Sequence, residues 1–148
     1  MKNIEVFSNK INQLFQYCNY INSGGCGLFA LCLGQTLKKK FSIQYAFCSS
    51  DKLNNEELFN EEMNKGNIKS LYDINNFGAF CNHILVLINN KHLIDCTGIT
   101  NEYQVDFFLN ESTLKSITDK NEGWNEIGYE KTKNNLKTFK NKLEKLLN

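Results

Sequence analysis

The chain has no proline and no arginine among its 148 residues, and it has only two histidines and one tryptophan. Without proline, its turns and helix ends must be made by Gly, Asn, Asp and Ser. Without arginine, all seventeen basic residues are lysines, which argues against bidentate recognition of phosphate or carboxylate. The net charge is +1, so no strong field draws the chain to nucleic acid or to an anionic membrane. No apolar run approaches the roughly 20 residues needed to cross a bilayer. The opening Met1-Lys2-Asn3-Ile4-Glu5 lacks the apolar core of a signal peptide. Neither a phosphate-binding loop nor a dinucleotide fingerprint is present, so no cofactor is expected. These absences point to a cytoplasmic protein with no nucleic-acid or membrane partner, and leave delivery as an effector open.

What is present is enough for a core: 41% of the residues are hydrophobic and eleven are Phe. The length fits one domain, residues 1–148, built as a single unit. There is no internal repeat, low-complexity tract or linker. Six cysteines occur, at 18, 26, 32, 48, 81 and 96. Most sit in apolar runs like small buried hydrophobes. Without an export signal, reduced thiols are the expectation rather than disulfides. Cys81-Asn82-His83, with Cys96 nearby, offers too few ligands for zinc and no CxxC pair, so no metal is expected.

One cysteine differs from the rest. Cys26 stands in Ser23-Gly24-Gly25-Cys26-Gly27, directly before the helix-like run Leu28-Phe29-Ala30-Leu31-Cys32-Leu33. A small-residue turn thus delivers a thiol to the positive end of a helix, where the thiolate is favoured. Free backbone N–H groups there can hold an oxyanion. A thiolate nucleophile needs a base. His83 opens the apolar run Ile84-Leu85-Val86-Leu87-Ile88, which reads as a buried strand. Asn89-Asn90-Lys91 reads as a turn, and His92-Leu93-Ile94-Asp95-Cys96 as the returning strand. A three-residue loop pairs Ile88 with His92 and puts His83 and Asp95 on one face as diagonal neighbours, roughly 7–8 Å apart at Cα. A two-residue loop puts them on opposite faces. His92, beside the turn, is expected to be exposed.

Taken singly, each of these residues has a plainer reading. Cys26 reads equally as a buried structural thiol, His83 as a satisfied sheet-edge histidine and Asp95 as a hydrogen-bonded carboxylate near a turn. Their order and elements together make a Cys-His-Asp constellation, in which the thiolate attacks, the imidazole moves the proton and the carboxylate orients the ring.

At Gly24-Gly25-Cys26-Gly27-Leu28-Phe29-Ala30-Leu31, His83-Ile84-Leu85-Val86-Leu87 and Ile94-Asp95-Cys96-Thr97-Gly98, the chain resembles the papain-like cysteine peptidase superfamily, especially its compact bacterial and phage members. The resemblance implies an α+β fold, with N-terminal helices carrying the Cys packed on an antiparallel sheet carrying His and Asp. It implies a thiol peptidase acting on a peptide or protein substrate. A transglutaminase-like deamidase or acyltransferase of the same fold, or a catalytically inactive papain-like binding or effector module, are the alternatives. Many papain-like enzymes have a Gln six residues before the nucleophile as oxyanion donor. Here that residue is Tyr20, and Gln16, Asn19 and Asn22 are nearby, with Asn19 or Asn22 the expected substitute. Trp124 is the candidate for roofing the catalytic pair, ordinary core packing being its plainer role.

Around these motifs, apolar spacing predicts helices over 3–21, 26–39, 55–65, 111–119 and 130–147. It predicts strands over 41–47, over the hairpin 83–97 and over 103–107. Residues 66–81 read as a loop with a helical turn near Leu71. The last helix turns Leu136, Phe139, Leu143 and Leu146 inward, and its many lysines read as a solvated face.

Overall fold

The computed structural model describes residues 8–11, 26–48, 55–69, 73, 83–95, 98–100, 102–118 and 126–147. Within them the protein is α+β, with a five-stranded antiparallel sheet and helices on it. Residues 8–11 are helical. The chain then runs α1 (Cys26–Leu37), β1 (Ile43–Cys48), α2 (Asn55–Asn64), β2 (His83–Ile88), β3 (His92–Asp95), β4 (Gly98–Ile99), β5 (Val105–Leu109), α3 (Glu111–Thr118) and α4 (Glu126–Leu147). The sheet order is β4-β3-β2-β1-β5.

Period-two alternation gives the sheet two faces. Tyr45 and Phe47 of β1, Ile84, Val86 and Ile88 of β2, Ile94 of β3, and Phe107 and Leu109 of β5 belong to the main core. α1 lies on β1 and β2 over this face, flanked by α3 and α4. It buries Phe29, Ala30, Leu31, Leu33 and Leu37. Phe29 meets Phe139 of α4 with ring centroids 5.2 Å apart. α2 covers β5, where Phe59 packs on the stacked rings of Phe47 and Phe107. The opposite face carries a smaller cluster: Ala46, Cys48 and Leu85, with Leu93, Tyr103 and Val105 against it.

α1 is buried nearly all round because it is clamped at close range. A Cβ on Gly34 would lie 2.5 Å from the Tyr45 ring, so only glycine lets the helix come down on β1. The Tyr45 hydroxyl, beneath it, donates to Glu111 Oε1 at 2.8 Å. Glu111 in turn pairs with Lys38 at 3.0 Å. Burial, then the bond to Glu111, pushes the Tyr45 phenol well above its ordinary pKa. The bonds from Lys38 and Tyr45 hold the Glu111 carboxyl below its own.

The hairpin has the three-residue loop. Val86 pairs with Ile94, Leu87 with Leu93 and Ile88 with His92. Asn89 and Asn90 are both left-handed, with φ of 53° and 57°, and Lys91 donates back to Ile88 O at 3.0 Å. Asn accepts this conformation at little cost. His92, facing Ile88, is half-buried rather than exposed.

Of the boundaries that differ from the sequence pattern, two change which residues the core receives or where its last helix starts. The strand expected over 103–107 lies at Val105–Leu109. Cys48 pairs with Val105 while Phe47 pairs with Phe107, so the ladder slips at Asp106. This bulge moves Phe107 to the core face, leaves Val105 on the other, and turns Phe108 outward with 45% of its surface exposed. The last helix begins at Glu126, before the expected residue 130. Leu136, Phe139 and Leu143 are buried as its spacing predicts, and Leu146 partly so.

Candidate functional site

His83 is the first residue of β2 and Asp95 the last of β3. The register sets them diagonally on one face, and their side chains meet: His83 Nε2 lies 3.1 Å from Asp95 Oδ2. The side chains are 16% and 9% exposed. Water competes weakly for such a contact, and a carboxylate facing Nε2 favours the tautomer or ion that carries a proton there. With Nε2 directed at Asp95, Nδ1 is the ring nitrogen that would exchange a proton with a thiol.

Tyr103 is the site residue that the sequence pattern missed. Its ring centroid is 4.9 Å from that of His83, tilted by 43°. The topology explains the approach. Cys48 of β1 pairs with His83 on one side and with Val105 on the other. Tyr103 precedes Val105 by two residues and shares its cluster. It therefore reaches past the end of β1 toward the imidazole. Tyr103 flanks the imidazole; Trp124, the residue expected to roof it, lies outside the described residues.

Cys26 is the first residue of α1. Residues 38–42 connect α1 to β1, and so short a link makes the two antiparallel neighbours. α1 has twelve residues, roughly 18 Å of helix. β1 has six residues, roughly 20 Å of strand. The start of α1 thus lies at the end of the sheet where β1 closes and β2 opens, which is the His83 end. No acidic residue in the first turn offsets the positive helix end. His83 and Asp95 alternate with the core positions Ile84 and Ile94, so they stand on the sheet face opposite α1. Cys26 and His83 share that end, and His92 is at the other.

Burial disfavours the thiolate at Cys32 and Cys48, the two thiols whose side chains the structure describes. Cys32 approaches Leu136 O at 3.8 Å, and burial, the largest cause, pushes its pKa up to about 12. Cys48 is pushed up to about 12 by burial first and by Asp106 second. Among the described residues, no three His, Cys, Asp or Glu side chains gather to hold a metal ion. None of their helices is long and apolar enough to cross a membrane. Gln16, Asn19, Tyr20 and Asn22, with Cys18, Cys81 and Cys96, lie outside the described residues.

Compared with models of known families, with characterised proteins and with solved structures, the chain matches none.

Proposed function

We propose that the protein is a papain-like thiol amide hydrolase, most simply a cysteine peptidase acting on a peptide or protein substrate. The observation that carries this reading is the His83–Asp95 contact at the end of the sheet where Cys26 opens α1. In the proposed cycle, Cys26 thiolate attacks the substrate carbonyl carbon and the carbonyl electron pair moves to oxygen. Backbone N–H groups of the first turn of α1, with Asn19 or Asn22, hold that oxyanion. The tetrahedral intermediate collapses, and the C–N bond breaks as His83 Nδ1 gives its proton to the leaving amine. Water, giving a proton to His83, then attacks the thioester carbon, the C–S bond breaks, the acid product leaves, and the Cys26 thiolate is restored beside the His83 imidazolium. Asp95 holds the ring and favours the imidazolium paired with the thiolate. A deamidase would release ammonia, and an acyltransferase would replace water with an amine.

A second reading is an inactive papain-like binding module. The observation that favours it is the alternation of β2 and β3, which directs His83 and Asp95 to the face away from α1.

Thiol reactivity separates the two. Brief iodoacetamide labelling near pH 6, followed by peptide mapping, is expected to modify Cys26 first and to leave Cys32 and Cys48 untouched. A peptide bearing an electrophilic carbonyl should add once per chain, and Cys26→Ala or His83→Ala should abolish the adduct. Faster labelling of Cys18, Cys32 or Cys48 in the folded protein would overturn the nucleophile assignment. A Cys26 as slow as a free thiol, unaffected by His83→Ala, would select the binding module.

A further inference from the structure

A groove of about 480 Å³ opens between α2 and β5. Its floor includes Phe59 and Met63 of α2 and Phe107, Phe108 and Leu109 of β5. The last three are consecutive, so their side chains alternate between the two sheet faces. Residues from both faces line one groove only if it runs along the strand's outer edge. Among the described residues, β5 is the terminal strand of the sheet. In an antiparallel ladder, successive residues alternate between bonding the partner strand and directing their N–H and C=O outward. The edge therefore presents backbone donors and acceptors beside apolar side chains, with Phe108 exposed between them. That combination recognises an added strand.

The rim fixes the charge of the occupant. Glu56, Glu57, Asn60, Glu61 and Asn64 form the adjoining strip of α2. The three glutamates are exposed. Among the described residues lining the groove and this strip there is no lysine. Cations are attracted and anions repelled at such a rim. A second copy of the chain fits poorly. Pairing β5 with its own equivalent would bring two acidic rims together, and the lysine-rich segment of this chain is the helix α4, not a strand.

We propose that the outer edge of β5 binds an extended polypeptide segment in which lysine or arginine alternates with apolar side chains. The backbone of the segment pairs with β5, its apolar side chains pack beside exposed Phe108 on the face away from α2, and its cations, on the α2 side, meet Glu56, Glu57 and Glu61. This binding does not require the thiol chemistry, so it stands or falls separately from it.

The test uses the full chain carrying Cys26→Ala, which keeps a bound peptide intact, and three capped, fluorescein-labelled octapeptides. One alternates lysine with valine, one alternates glutamate with valine, and one is the lysine–valine peptide with alternate backbone nitrogens methylated. Fluorescence anisotropy is expected to give the lysine–valine peptide at least about tenfold tighter binding than either control, a 1.4 kcal/mol difference. Combined Glu56→Lys, Glu57→Lys and Glu61→Lys should remove the preference for the lysine peptide. Phe108→Lys should weaken binding of both charged peptides, and if that variant does not fold, the glutamate variant decides. Equal affinities for lysine and glutamate peptides would overturn the proposal. So would undiminished binding of the methylated peptide, which would mean charge attraction without strand pairing. Dimerisation seen by sedimentation and abolished by the glutamate variant would overturn it in favour of a second copy.

Discussion

Replacing Asp95 tests the proposed catalytic pair at its most accessible point. Asp95 Oδ2 lies 3.1 Å from His83 Nε2, and neither side chain is more than 16% exposed. A hydrogen bond to a charged group contributes about 1.5–3 kcal/mol, and a neutral one about 0.5–1.5 kcal/mol. Asp95→Asn is nearly isosteric, so the hairpin should stay folded with Oδ1 still able to accept from Nε2–H. What is lost is the charge, about 1–1.5 kcal/mol by difference, or roughly a five- to twelvefold slower reaction of the thiolate–imidazolium pair. Asp95→Leu removes the acceptor altogether. The loss becomes about 1.5–3 kcal/mol, roughly ten- to 150-fold. The assay is the pseudo-first-order rate of Cys26 alkylation by iodoacetamide between pH 5 and 8, which needs no substrate. The order wild type, Asp95→Asn, Asp95→Leu is expected, with the largest gaps at the acid end, where the paired thiolate is the reactive species. Identical rates for wild type and Asp95→Asn across that range would refute the reasoning. So would a leucine variant no slower than the asparagine one.

Two further outcomes follow from the fold. The carboxyl of Glu111 is held below its ordinary pKa of 4.5 by Lys38 first and Tyr45 second. Its contribution is therefore present above that pH and lost as pH falls through the lowered folded value. Glu111 is 36% exposed in its side chain, so Glu111→Gln should cost under about 1 kcal/mol at pH 7. Urea denaturation should show that cost shrinking by pH 3, and a constant difference would count against the pairing. Asn90 is left-handed with φ 57°, so Asn90→Val should destabilise the chain by about 1–2 kcal/mol, whereas Asn90→Gly should be nearly neutral. Equal denaturation midpoints for the two variants would contradict the turn geometry.

The parts of this architecture that depend on neighbours in sequence were legible before the fold was known. The hairpin is the clearest case. The alternation from His83 to Ile88, the residues Asn89-Asn90-Lys91 and the alternation from His92 to Asp95 constrain each other, because one loop length alone sets His83 and Asp95 on a shared face. α1 was legible from its apolar run and α4 from its spacing. What was not legible depends on contacts far apart in the chain. Tyr103 reaches His83 only because β1 sits between β2 and β5 and because the ladder slips at Asp106. Neither fact leaves a mark in local periodicity, which reads Tyr103, Val105 and Phe107 as one face. The Tyr45–Glu111 bond joins residues 66 apart, and the glycine that makes room for Tyr45 looks like any small residue in a helix.

The clamp at Gly34 turns α1 into a lever. The helix is gripped against β1 where Tyr45 passes beneath it, and Glu111 and Lys38 secure that grip from the side. Cys26 lies eight residues up the arm, roughly 12 Å from the pivot. Over that length a tilt of about 5° sweeps the thiol position by about 1 Å, enough to cost on the order of a hundredfold in a reaction that needs aligned atoms. A single methyl group at Gly34 would force such a tilt or displace the Tyr45 ring. In the proposed cycle, the fulcrum would share control of reactivity with the residues at the tip.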